Sequence, residues 1–156
     1  MGKEILIDRP SVNSEPYMDM SWVHPLLSLR RFNNFRQEHN ISPSTHPKAC
    51  DLFAGLGGMS NILIENGWQG KNMTCIDRLK PDEPLVTEAR WLFWDLKALT
   101  KAIMSGQPLP NTVLEYKGKF DVVVMAYNAC LPSDWETFLV EFFAKDKKNI
   151  LIIPDK

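Results

Sequence analysis

The chain has 156 residues, a length that suits one domain, and 44% of them are hydrophobic, enough for a single packed core and too many for a disordered chain. The formal net charge of -1 excludes a globally basic nucleic-acid-binding composition, so any contact with nucleic acid has to come from a local patch. No apolar run approaches the roughly 20 residues that span a bilayer, so no membrane association is expected.

The first residues, Met1 to Asp8, are too few and too charged for a signal peptide, and Leu6 stands where a myristoylation motif needs Ser or Thr. Cys50, Cys75 and Cys130 are odd in number, flanked by apolar residues and without Cys-x-x-Cys or metal-ligand spacing. That pattern suits the cytoplasm or another reducing compartment and gives no metal site. His24, His39 and His46 show no metal-like spacing either.

In chain order, residues 1–20 are turn-rich, with Pro10 and Pro16, and read as a loosely held arm. Leu26, Leu27, Leu29, Phe32 and Phe35 recur at helical spacing, which predicts an amphipathic helix over residues 24–39. Arg30, Arg31 and Arg36 lie between them. This basic and aromatic mixture is the best local candidate for a nucleic-acid contact, although a helix with its aromatic face on the core and its charges in water is the favoured reading. Ile41 to Pro47 breaks the pattern, so residues 1–47 form an N-terminal arm and helix, and residues 48–156 form the main domain.

From Lys48 onward short apolar strands alternate with helices. Strands are predicted over 49–53, 72–76, 90–94, 120–126 and 149–153, and helices over 59–66, 96–104 and 134–144. Gly67 closes the first of these helices, Asp95 starts the second, and residues 106–118 read as a loop. Pro81 and Pro84 interrupt the segment between them. Apolar strands of this kind argue for an α/β fold with a doubly wound, mostly parallel sheet. Its ligand then sits beyond the carboxyl ends of the strands.

Three segments fall at those ends. The first is Asp51-Leu52-Phe53-Ala54-Gly55-Leu56-Gly57-Gly58, a glycine turn that opens a helix and offers backbone N–H groups to an anionic group. A dinucleotide fingerprint would need Gly or Ala where Ser60 stands, which argues against a nicotinamide enzyme. The second is the acidic pair Asp77 and Asp95. Asp77 suits ribose hydroxyls or a strand-end turn, and Asp95 suits an adenine amino group or a helix cap. The third is Tyr127 to Pro132, after the strongest strand, with Asn128 and Cys130. Trp91 and Trp94 suit either an adenine wall or the apolar core, the core being favoured.

The run Asp51 to Trp68, D-L-F-A-G-x-G-G-x-S-x-x-L-x-x-x-G-W, resembles the first motif of the cytosine-5 DNA methyltransferases. It shares Asp51, Leu52, Ala54, Gly57, Gly58 and Ser60 with the FtsJ-like RNA 2′-O-methyltransferases. The resemblance covers less than a third of the chain. It implies the class I methyltransferase fold, with S-adenosylmethionine held by Asp51, Phe53, Ala54, Gly55 and Gly57, and with Asp77, Asp95 and Leu96 completing the pocket. In strict register the ribose-binding acid of the family falls on Cys75 instead of Asp77. The methyl acceptor, nucleic acid in the resembled families, would approach Asn128, the candidate catalytic residue. The family's patterns are broken there: Asn128 is not followed by Pro-Pro-Tyr, and Ala129 replaces the Pro that precedes a nucleophilic Cys. Cys130 has no adjacent Lys or Arg to lower its pKa and is not expected to act as a nucleophile. The sequence stops after the fifth strand, so a sheet shortened at its C-terminal end is expected: either another chain, a protein partner or a second copy, supplies the missing parts, or the domain is a reduced one. The two resulting functions are a methyltransferase and a degenerate methyltransferase-like binding or regulatory protein.

Overall fold

The structure, a computed structural model, describes residues 11–12, 25–55, 57–80, 83–84, 86–126 and 131–153. A two-residue strand, β1 (Ser11–Val12), precedes the 15-residue helix α1 (Pro25–His39). Strand β2 (Ala49–Leu52) then leads through the glycine turn into α2 (Gly58–Glu65). Next come β3 (Met73–Asp77), the short β4 (Leu79–Lys80), β5 (Arg90–Phe93) and α3 (Leu96–Ser105). The chain continues through α4 (Asn111–Leu114), β6 (Val122–Ala126), α5 (Glu136–Phe143) and β7 (Ile150–Ile153).

Five of these strands make one all-parallel sheet in the order β5-β3-β2-β6-β7, while β1 pairs separately with β4. Side chains alternate across the sheet with a period of two. Cys50, Leu52, Ile76, Val123 and Met125 join the cluster of α3 and α5 on one face. Ala49, Met73, Cys75, Val122, Val124 and Ile153 join the cluster of α1 and α2 on the other. Both faces are therefore covered, and the chain has a Rossmann-like, doubly wound α/β fold.

The helices form where local chemistry favours them. Asp95 accepts the Ala98 N–H at 3.1 Å and caps α3, and Gly106, with φ 72°, ends it in the left-handed conformation. Helix α1 buries Phe32 and Phe35, and Phe32 meets Trp68 edge-on at 5.5 Å. The Arg36 guanidinium lies 5.1 Å from the Trp68 ring centroid and 5.9 Å from that of Phe32, and it donates to Ile41 O and Asn66 Oδ1. The aromatic stripe of this helix is thus core.

The structure refines several expected boundaries. The segment 106–118 is not wholly loop, because Asn111–Leu114 forms a helical turn that buries Val113. Pro110 precedes it with the fixed φ that suits a helix start. The strand expected from residue 120 joins the ladder only at Val122, and Phe120 makes an isolated bridge to Ala144. The helix expected from residue 134 begins at Glu136, after a 3₁₀ turn over Ser133–Trp135. Phe53 lies outside β2 and takes a positive φ of 56°.

Packing around α5 sets a direct test. Phe143 is fully buried, so Phe143→Ala should lower stability by about 3–5 kcal/mol in a urea titration. Phe138, on the same helix but 47% exposed, should tolerate Ser within about 0.5 kcal/mol.

Candidate ligand-binding edge

Strands β2 and β6 are neighbours, yet from them the sheet grows in opposite directions, toward β3 and β5 on one side and toward β7 on the other. This reversal is the topological switch point, where a doubly wound sheet opens a crevice beyond its carboxyl edge. The glycine turn leaves β2 at that point.

Within the turn Phe53, Gly55 and Gly57 have φ of 56°, 62° and 93°. Left-handed residues so close together fold the backbone into a tight concave bend, a shape suited to anions. Gly57 is also the residue that caps α2, and it has no side chain with which to do so. The capping acceptor comes instead from β2. Asp51 Oδ2 receives the Ser60 N–H at 3.1 Å and the Ser60 hydroxyl at 2.7 Å. Ser60 N–H belongs to the first turn of α2, so this carboxylate does the work of an N-cap side chain from nine residues upstream. Asp51 is only 1% exposed, and burial pushes its carboxyl up to about 7 despite the opposing Ser60 hydrogen bonds. Burial likewise raises the thiols of Cys50 and Cys75, so neither is a ready nucleophile.

A second carboxylate holds the outer part of the turn. Asp77, at the end of β3, accepts the Gly55 N–H on Oδ2 at 3.0 Å and the Arg78 N–H on Oδ1 at 2.6 Å. Ala54 N–H donates to Ile76 O at 3.2 Å, and Gly57 N–H to Ala54 O at 2.8 Å. The expected site residues Asp51, Phe53, Ala54, Gly55, Gly57 and Asp77 therefore meet in one corner. Trp91 closes its far side. A Cβ at Gly57 would lie 3.5 Å from the Trp91 ring and 3.7 Å from Val86, and the Trp91 indole N–H donates to Val86 O. Cys75, the register alternative to Asp77, is buried behind the turn against Ser60.

The remaining expected residues stand elsewhere. Asp95 is half-buried and caps α3, and Leu96 and Trp94 are buried in the core. Arg30 is exposed and Arg31 half-buried on α1, whereas Arg36 is folded onto Trp68. Asn128 and Cys130 lie outside the described residues, as does Leu56. Among the described residues no group of three metal-ligating side chains occurs, and no helix is long and apolar enough to cross a membrane. Sequence reasoning gave no role to Ser60 as the partner of Asp51, or to Val86 over the turn. The one signal for Ser60 was its place in the quoted motif.

No family model matches the chain, and a search of the curated proteins finds no match.

The capping role of Asp95 can be measured directly. Asp95→Ala should lower stability by about 1 kcal/mol, while Asp95→Asn, which keeps a capping oxygen, should cost only a fraction of that in the same denaturation assay.

Proposed function

We propose that the chain is a methyltransferase that takes S-adenosylmethionine at the carboxyl edge of its sheet. One observation carries the reading: a left-handed glycine turn lies at the strand-order reversal and is locked to an acidic strand end through Gly55 N–H and Asp77. The methionine end would lie over Phe53–Gly58, the ribose toward Asp77, and the adenine toward Asp95, with Leu96 in the core behind it. Those residues would bind and orient the cofactor, which supplies the electrophilic methyl group. Asn128 follows β6 and is the proposed acceptor-facing residue. Nucleic acid is the acceptor class that the motif resemblance suggests, with Arg30 and Arg31 as the contacts on α1, since Arg36 is folded onto Trp68 and Asn66.

A second reading, a binding protein on the same scaffold, is favoured by a separate observation. Asp51, Asp77 and Asp95 are all engaged with backbone N–H groups of their own chain. Carboxylates used in this way support a turn and a helix whether or not a cofactor is present.

Calorimetry with S-adenosylmethionine and S-adenosylhomocysteine tests the first reading. Binding of either is expected, and Asp77→Ala should weaken it by about 1–3 kcal/mol. Absence of both heat and thermal shift with the folded protein removes the methyltransferase reading. Binding without methyl transfer to any tested nucleic acid moves the balance to the second. Gly57 is a poor site for this test, because its φ of 93° strains any larger residue irrespective of ligand.

A further inference from the structure

We propose that the amino end of α2, and with it the glycine turn, is a pH-sensitive element operated by Asp51: the turn is locked while the carboxyl is protonated and loosens when it ionises. The inference concerns the ligand-free chain and stands apart from the function proposed above.

The geometry is a buried relay of three side chains from three elements. Asp51 of β2 meets the Ser60 hydroxyl of α2 at 2.7 Å, and that hydroxyl meets Cys75 Sγ of β3 at 3.1 Å. A hydroxyl and a thiol can each donate or accept, so the relay is satisfied in two directions. With Asp51 ionised, the thiol donates to Ser60 Oγ and the hydroxyl donates to the carboxylate. With Asp51 protonated, the carboxyl donates to Ser60 Oγ and the hydroxyl donates to Cys75 Sγ. The protonated form keeps the side-chain relay and carries no buried charge, while the Ser60 N–H bond to the same Oδ2 is weakened. The ionised form keeps its bonds but holds a charge away from water.

The two Ser60 donors offset part of that charge, and burial outweighs them. On β2 and β3 the titratable groups are Cys50, Cys75 and Asp77; α1 carries Arg30, Arg31, Arg36, Glu38 and His39, of which Arg36 is folded onto Trp68 and Asn66, Arg30 and Glu38 are exposed, and Arg31 and His39 are half-buried. Strand β6 presents Val124 in register with it, and α1 presents Phe32 to the same cluster. Val86 and Trp91 cover the turn. The ionisable residue of α2 is Glu65, exposed at the far end of the helix.

The sign follows from linkage. Burial sets the folded carboxyl at about 7, against 3.8 for a carboxyl in water. Its contribution to the closed form is complete below the lower value and is lost as the pH rises through the upper one. Opening that exposes Asp51 to water is thus promoted by rising pH, by about tenfold between pH 6 and pH 8, with a plateau above.

Hydrogen exchange of the Gly58–Asn61 amides in the ligand-free protein tests this, after division by the intrinsic chemical rate. The corrected rate should rise about tenfold over that range in the wild type and stay flat in Asp51→Asn, with α3 amides as an internal control. A carbon-13 titration of the wild-type Asp51 carboxyl, which needs no variant, should show a midpoint near 7. A flat wild-type exchange profile, an equal rise in Asp51→Asn, or a midpoint in the ordinary carboxylate range overturns the proposal.

Discussion

A parallel sheet can persist in water only when both of its faces are covered, and this requirement governs the rest of the chain. Central strand β2 shows its consequence most plainly. Ala49, Cys50 and Leu52 are fully buried, two on one face and one on the other. The fourth residue, Asp51, is polar and equally enclosed. A carboxyl in that position must find donors inside the protein or leave a large desolvation cost unrelieved. The first turn of α2 supplies them, because a helix start has backbone N–H groups without intrahelical partners. The burden of a buried acid and the burden of an uncapped helix relieve each other.

That exchange depends on the backbone between the two. To bring Ser60 over Asp51 the chain must reverse within a few residues, and it does so with three left-handed conformations. Two fall on glycine and one on Phe53, where a positive φ is uncommon and is sustained by the packing of its half-buried ring. Asp77 then fixes the outer limb of the bend through Gly55. The turn is shaped by carboxylates from two adjacent strands, one beneath it and one beside it. A ligand at this edge would meet a surface already formed, with little ordering cost at the moment of binding.

How much of this was legible in the sequence depends on the range of each interaction. The strands were legible because residues such as Val122–Val124 are apolar on both sides, and the α/β alternation followed from them. The cap of α3 was legible because Asp95 and Ala98 are three residues apart. The helical turn at Asn111–Leu114 was hidden: four residues give no periodicity, and the prolines before it read as loop. Asp51 was legible as part of a motif, yet its task was not, since its partners are Ser60 across a turn and, through it, Cys75 on another strand. Arg36 shows the same limit more sharply. On its own helix it reads as one of three cations, and only the arrival of Trp68, 32 residues later, turns it inward.

The two edges of the sheet consequently differ in kind. At the amino edge, segments distant in sequence are tied directly: Trp68 Nε1 donates to His46 O at 2.7 Å, Lys48 N–H to Asp121 Oδ2 at 3.0 Å, and Arg36 to Asn66. These bonds join linkers to the elements they bracket, and Lys145 pairs with Asp121 beside them at 3.0 Å. At the carboxyl edge the polar groups converge on one bend of backbone, and the acid beneath that bend has its protonation set near neutrality by burial. An edge held by fixed neutral and ionic contacts serves stability. An edge whose bend is held by two carboxyls, Asp51 beneath it and Asp77 beside it, ties its shape to polar groups, and under the proposal above a charge placed beside Asp51 would act, through Ser60, on the start of α2.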